Sequence, residues 1–468
     1  MTGASAAAGP QLMVGLVLAI VILIVLVLRT RIHALLALVI ATSIAGLVGG
    51  MAPDALVKSI TTGFGATLST IGLVIGFGVM MGRLLEISGA AERMAYSFIR
   101  WLGNKREEWA MLITGYIVSV PIFCDSAFVI LNPLVRALSR TSGKSMITLG
   151  IALAGGLMLT HHAVPPTPGP LGVAGIFGID IGLMILWGVI FTIPAMFVLI
   201  AYARYMGPRI EASLGAAPDE AQTRQAYQQV LARAEEREAK LPPLWLSALP
   251  IALPILLIFI NTLATALGKQ GIATAVTQGT IGQIITFIGN PVIAVGLGVI
   301  VAIYGLVPRM PRDDVIREME KGVESAGIIL LVTGAGGAMG AVLRDSGAGQ
   351  YIGEWVATLP LPAVLIPFVI SSLVRLIQGS GTVAMITGAS ISAPILTTIP
   401  DVNLVFAAQA AAIGSMMFSY FNDSYFWVVN RLLGVTQAKQ QLLTWSVPST
   451  LGWFTALITL LIFNAILG

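Results

Sequence analysis

Apolar residues run through the chain in stretches of about 20, separated by short clusters of glycine, proline and charge. At ~1.5 Å rise per residue such a stretch crosses a ~30 Å hydrocarbon core as a helix. Ten crossings can be counted, with shorter apolar limbs between them. The first half predicts helices over 12–28, 33–50 and 66–85, then an amphipathic arm over 90–103 that carries Glu92, Arg93 and Arg100 beside Met94, Phe98 and Trp101. Two limbs follow over 109–121 and 127–139, then a run over 146–160 that resumes at 171–178, and a closing helix over 182–204. The second half reads in the same order: 244–267, 283–307 and 326–343, an arm over 348–358, a hairpin over 361–398, a run over 403–418 broken at 419–424, and a last helix over 440–466. A limb of about 20 Å is too short to cross, so each limb pair predicts a re-entrant hairpin with its tip inside the membrane. The fold class is an all-α polytopic membrane protein.

Composition agrees. Of 468 residues 56% are hydrophobic and 10% charged, with mean hydropathy +0.91, where a soluble domain carries roughly a quarter charged residues. The run Leu12 to Leu28 has no basic segment before it and no small-residue cleavage site after it, which predicts a retained helix rather than a signal peptide. Cys124 is the single cysteine, which excludes an intrachain disulfide and a cysteine-based zinc site. The net charge of +4 does not indicate nucleic acid, because its distribution follows membrane topology. With the N-terminus outside, 22 of the 26 lysines and arginines fall on the cytoplasmic side, leaving Lys58, Lys269, Arg344 and Arg375 outside or within the membrane. Both termini are therefore expected to be extracytoplasmic, in the cytoplasmic (inner) membrane.

The second half echoes the first at an offset of 258 residues. "IGLVIGFGVMMGRLLEISGA" (Ile71 to Ala90) lies over "ILLVTGAGGAMGAVLRDSGA" (Ile329 to Ala348), so Gly76, Gly78 and Gly82 meet Gly334, Gly336 and Gly340, and further on Trp187 meets Trp445. These glycines are spaced wrongly for a dinucleotide fingerprint and lie inside an apolar run, so close helix packing is expected of them. Gly143-Lys144-Ser145 likewise lacks the earlier glycine of a phosphate-binding loop. Five crossings per half, an odd number, make the repeats inverted. The expected divisions are a first repeat over 1–204, a hydrophilic cytoplasmic linker over 205–242 and a second repeat over 243–468.

Four polar breaks interrupt the apolar runs: "VPIFCDSAF" (Val120 to Phe128), "THHAVPPTPGP" (Thr160 to Pro170), "RLIQGSGTVA" (Arg375 to Ala384) and "FSYFNDSYFW" (Phe418 to Trp427). Backbone breaks at membrane depth persist only where protein or a water-filled cavity satisfies them, and half-helix N-termini there suit an anion. Gln378, Gly379, Ser380, Gly381 and Thr382 are the strongest carboxylate candidates, because glycines admit the ligand to the backbone and hydroxyls donate just before a helix. Asp125 and Asp423 are carboxylates in apolar surroundings, suited to carrying a proton or, more plainly, to capping helices. Ser126, Thr167, Asn422 and Ser424 complete the expected binding set. Prolines end the helix after the histidines, and adjacent histidines point about 100° apart on a helix, so one of the two is expected to face the site. His161 is that choice, with His162 packed or at the surface; Arg375, at the mouth of the second hairpin, either attracts an anionic substrate or pairs with a neighbouring carboxylate or carbonyls. Asp125, His161 and Asp423 are the proton-coupling candidates.

"PPTPGP" after a histidine, "QGSGTVAMIT" and "NDSYFW", in this order along nearly the whole chain, resemble the gluconate permease (GntP) family of proton-coupled symporters, within the broader ion-transporter superfamily. The resemblance implies a transporter, not an enzyme, that imports gluconate-like sugar acids or small hydroxy acids with protons as the coupling ion and no cofactor. It implies a scaffold from about 12–85 and 244–343, an elevator-like transport domain from about 109–204 and 361–466, and a homodimer among membrane lipids. The chain departs from the family pattern at three places: Asp125 stands where gluconate carriers have Glu, Thr167 where they have a second His, and Ser419-Tyr420 where a His precedes the Asn-Asp pair. A shorter acid such as glycerate therefore stays beside gluconate. A sodium-coupled carboxylate carrier or a sodium/proton antiporter shares the architecture, and Na⁺ has a place at the carbonyls freed by Pro165 and Pro166. An intramembrane hydrolase using Cys124 and His161 is the remote alternative.

Overall fold

The computed structural model describes residues 9–29, 32–102, 106–214, 241–269, 279–356, 358, 362–420 and 423–467. Every regular element among them is a helix. The first half contains α1 (Gly9–Arg29), α2 (Ala34–Val48), α3 (Pro53–Ile87), α4 (Ala90–Leu102), α5 (Glu107–Val118), α6 (Cys124–Ser142), α7 (Met146–Ala163), α8 (Pro168–Phe177) and α9 (Ile181–Ser213). The second contains α10 (Leu244–Lys269), α11 (Thr280–Ile288), α12 (Pro291–Val301), α13 (Arg312–Asp345), α14 (Ala348–Val356), α15 (Leu365–Gln378), α16 (Gly381–Leu396), α17 (Leu404–Gly414), α18 (Ser424–Leu432), α19 (Ala438–Gln441) and α20 (Val447–Leu467). Wide π-type turns follow α12 over Ala302–Leu306 and join α19 to α20 over Leu442–Ser446. From α3 to α8 the helix starts recur in α13 to α18 close to the 258-residue offset.

Several elements differ from the sequence reading. Helices α3 and α13 run for 35 and 34 residues, well beyond the expected 66–85 and 326–343. Hydropathy marks only the most apolar stretch, whereas the helix starts earlier, at Pro53 with Asp54 in its first turn and at Arg312 with Asp313 and Asp314 in its first turn. Proline at the first helical position and acids beside the positive end of the dipole both favour such starts. The single helix expected over 283–307 is instead α11 and α12, bent by 65°, with Asn290 capping α12 through the Val292 amide at 3.0 Å. In the first hairpin α6 has 19 residues, about 28 Å at the helical rise, so this limb is longer than expected. It stops at Gly143, whose φ of +69° is open to glycine at little steric cost. Among the described residues five helices can cross a membrane by length and composition, or seven if each bent pair is one span. The ten counted crossings include shorter apolar helices such as α2. Helix α9 takes the start of the expected linker, and residues 215–240 of that linker lie outside the described residues.

The core is built on two contacts between halves. Helices α3 and α13 pack along one another, and at their crossing a side-chain carbon on Gly337 would lie 1.9 Å from Thr67 Oγ1. Lower on α3, a carbon on Gly82 would lie 2.1 Å from the Pro121 carbonyl, so glycine here admits the first hairpin's turn. The stretch containing α7 and α8 is wholly buried, enclosed by α5, α9 and the second-half helices α16 and α17. The carbonyl of Ala163, left without a helical partner where α7 ends, accepts from the Gln409 amide at 3.0 Å, and the same amide donates to the Met184 carbonyl at 2.7 Å. One side chain of α17 thereby holds the end of the broken helix in place.

Candidate functional site

A cavity of about 390 Å³ lies where the two hairpin turns, α7, the middle of α13 and the start of α18 meet. Local sequence sets its walls. Gly379, at φ +82°, ends α15, and Ser380 starts α16 with its hydroxyl accepting from the Val383 amide at 3.4 Å. Asp423 caps α18, accepting from the Tyr425 amide at 3.1 Å. Cys124 starts α6 and Asp125 sits in its first turn. Three helix N-termini therefore open on one cavity, each with first-turn N–H groups lacking helical acceptors and a positive dipole end.

The charged groups are held unequally. Arg375 is buried, 5% exposed, and donates to Asp423 Oδ2 at 2.5 Å and to the Gly379 carbonyl. The Ser419 hydroxyl donates to the same Asp423 oxygen and in turn accepts from Trp445 Nε1 at 2.8 Å. Both Asp423 oxygens are thus engaged. Asp125 is half-buried, and its hydrogen bond here is a long one, 3.4 Å, from Ser424 Oγ.

Both histidines line the cavity, which corrects the expectation that one would turn away. They sit 5.4 Å apart between ring centroids, almost perpendicular, and His161 also lies 5.9 Å from the Phe123 ring. The cavity wraps around the last turn of α7, so directions 100° apart both reach it. His162 Nδ1 lies 3.0 Å from the Met158 carbonyl, while His162 Nε2 and His161 Nδ1 are buried without a hydrogen-bond partner.

Of the sequence-derived candidates, Asp125, His161, Gly379, Ser380, Gly381, Thr382, Asp423 and Ser424 come together on this cavity. Ser126 does not line it, because one residue beyond Asp125 its side chain points about 100° around α6. Thr167 is buried and spends its hydroxyl on the Val164 carbonyl at 2.7 Å, a local turn bond rather than a ligand contact. Asn422 and the side chain of Gln378 lie outside the described residues. Sequence reasoning missed the roles of Ser419, Tyr425 and Trp445, whereas Arg375 takes the second of its two expected roles, pairing with a carboxylate and a carbonyl. The cost of an intramembrane arginine was the available signal, since it demands a partner such as Asp423.

Helices interrupted around a small cavity lined by charged and polar groups, in a chain this apolar, fit a multi-pass membrane permease. The chain belongs to the GntP family permeases, whose family model matches residues 11–466. It is 53% identical to an uncharacterized permease of Haemophilus influenzae over 98% of this chain and 93% of the relative. It is 32% identical to a gluconate permease of Pseudomonas aeruginosa, over 95% of this chain and 96% of that one. Identity to the Gnt-II system L-idonate transporter of Escherichia coli is 31%, over 96% and 98%. Among solved structures the fold is similar to Neisseria gonorrhoeae MtrF, with TM-score 0.66 and 16% identity over 95% of this chain and 97% of that one. It is also similar to the Alcanivorax borkumensis YdaH transporter, with TM-score 0.60 and 16% identity over 98% and 99%. Membership of a permease family removes the hydrolase alternative, and Cys124 and His161 stand as cavity walls.

Proposed function

We propose that this permease imports a gluconate-like sugar acid or a small hydroxy acid across the cytoplasmic membrane by proton symport with alternating access. The observation that carries the reading is the cavity itself: three helix N-termini open on it beside Arg375, a positive setting suited to an anion, and Asp125 and two histidines with unpartnered ring nitrogens line the same cavity. Its volume falls in the range of about 300–1,000 Å³ typical of small-molecule sites. Relatives named for gluconate and for L-idonate, both sugar acids, support the substrate class. The substrate carboxylate sits at the first-turn amides of α16, between Ser380 and Thr382. Asp125 carries the proton, because Asp423 is committed to Arg375, Ser419 and its own helix.

The recurrence of helix starts at one offset supports two inverted repeats, with α1–α3 and α10–α13 as scaffold and the hairpins and broken helices as a moving, elevator-like unit. A homodimer with both termini outside completes the proposal. A sodium-coupled reading has one observation in its favour: Pro165 and Pro166 have no N–H, so the carbonyls of His161 and His162 lose their helical donors and are available to a cation.

The test is thermal stabilisation of the purified protein by sugar acids, short hydroxy acids, amino acids and dicarboxylates, with and without Na⁺, at two pH values. A ligand of the folded state raises the melting temperature by mass action. A sodium-independent, pH-dependent rise with one hydroxy acid is expected. A rise that needs Na⁺ or appears only with dicarboxylates overturns the proton-coupled hydroxy-acid reading.

A further inference from the structure

We propose that His162 reads the hydroxyl group next to the substrate carboxylate, making this site selective for 2-hydroxy acids over their 2-deoxy and 2-keto counterparts. The inference rests on the hydroxy-acid reading above and specifies which hydroxyl is recognised and by which atom.

The tautomer follows from the partner. A carbonyl only accepts hydrogen bonds, so the Met158 carbonyl, 3.0 Å from His162 Nδ1, places the ring proton of neutral His162 on Nδ1. Nε2 is then a bare acceptor. It is buried without a hydrogen-bond partner, in a residue only 4% exposed that is among those lining the cavity. Its position is fixed against the start of α16: a side-chain carbon on Gly381 would lie 2.2 Å from Nε2, so the imidazole occupies the space that any residue other than glycine would fill. With the substrate carboxylate at the first-turn amides of α16, where Gly381 sits, we place the carbon next to it beside Nε2. A hydroxyl on that carbon donates to Nε2. A hydrogen atom there leaves a buried acceptor unpaired, and a keto oxygen sets two acceptors against each other. Sites built to bond a substrate hydroxyl reject analogues that lack it, because their own buried polar group is left without a partner.

The test uses the full chain in detergent and two matched pairs, D-gluconate with 2-deoxy-D-gluconate and D-glycerate with 3-hydroxypropionate, with dissociation constants from calorimetry. For the pair that binds, the wild type is expected to prefer the 2-hydroxy member about tenfold, which corresponds to about 1.4 kcal/mol. His162→Leu is expected to bring the ratio to within about twofold, and His162→Gln, whose amide oxygen reaches the Nε2 position, to restore much of it. Equal binding of both members by the wild type, or an unchanged ratio in His162→Leu, overturns the proposal while leaving hydroxy-acid transport standing. If His162→Leu does not fold, the wild-type ratio and His162→Gln decide: a ratio near one in the wild type, or a ratio in His162→Gln as low as expected for leucine, overturns it. Binding of none of the four acids overturns this inference together with the substrate reading.

Discussion

Asp125 and Asp423 each stand at the start of a helix that opens on the same cavity, one in each half of the chain, and their surroundings assign them opposite work. Asp423 is surrounded by donors: the Arg375 guanidinium, the Ser419 hydroxyl and the Tyr425 amide take its two oxygens, and Trp445 steadies Ser419. Losing this carboxylate would leave the Arg375 guanidinium buried without its acidic partner. Asp125 has one long bond, to Ser424 Oγ, and keeps free acceptor capacity toward the cavity. The two carboxylates stand at different kinds of break, a hairpin turn and an interrupted helix, and the difference between them lies in what each is bonded to.

Four substitutions break or sharpen this contrast, ordered by their expected effect on stability. Asp423→Ala leaves Arg375 buried and unpaired and is expected to cost about 3–5 kcal/mol and abolish transport, read as a fall in melting temperature. A loss no greater than that of an Asp125 variant would end the distinction. Gly381→Ala drives a methyl group into His162 Nε2, with an expected cost of about 1–3 kcal/mol from overpacking and weaker ligand stabilisation. Asp125→Asn removes the proposed proton carrier but little structure. Less than about 1 kcal/mol of stability should go with its one long hydrogen bond, while accumulation driven by a pH gradient in proteoliposomes disappears and substrate exchange persists. Accumulation that survives would move the coupling role to another group.

The smallest effect is expected at Glu318, outside the apolar span of α13, where Lys321 and then Arg83 hold its carboxyl below the ordinary value of 4.5. Because the folded-state value is depressed, the contribution is present above the ordinary value and lost as pH falls through the folded one. Glu318→Gln should cost at most about 1 kcal/mol at neutral pH. The variant and the wild type should converge in melting temperature on acidification, a difference that fluorescence-detected unfolding can follow. A gap that widens toward acid pH would reverse the sign assigned here.

The sequence by itself determined that the chain is helical and membrane-embedded, where its backbone breaks fall, and which family it belongs to. Those properties are carried by contiguous residues: apolar length sets a span, a proline or glycine ends a helix, and the arm expected at 90–103 forms over Ala90–Leu102. Hydropathy was less informative about helix ends, because the polar beginnings of α3 and α13 satisfy their own backbone hydrogen bonds and stay helical beyond the most apolar stretch. Only the tertiary structure decided which polar groups meet. Arg375 and Asp423 are 48 residues apart, and Gln409 reaches back across 246 residues to Ala163. The matched tryptophans diverge as well: Trp445 lines the cavity, whereas Trp187 packs against Phe191, Phe406 and Phe463. Pairing across such distances depends on how helices cross and rotate against one another, and that orientation is set by the packing of the whole bundle rather than by any local run of residues.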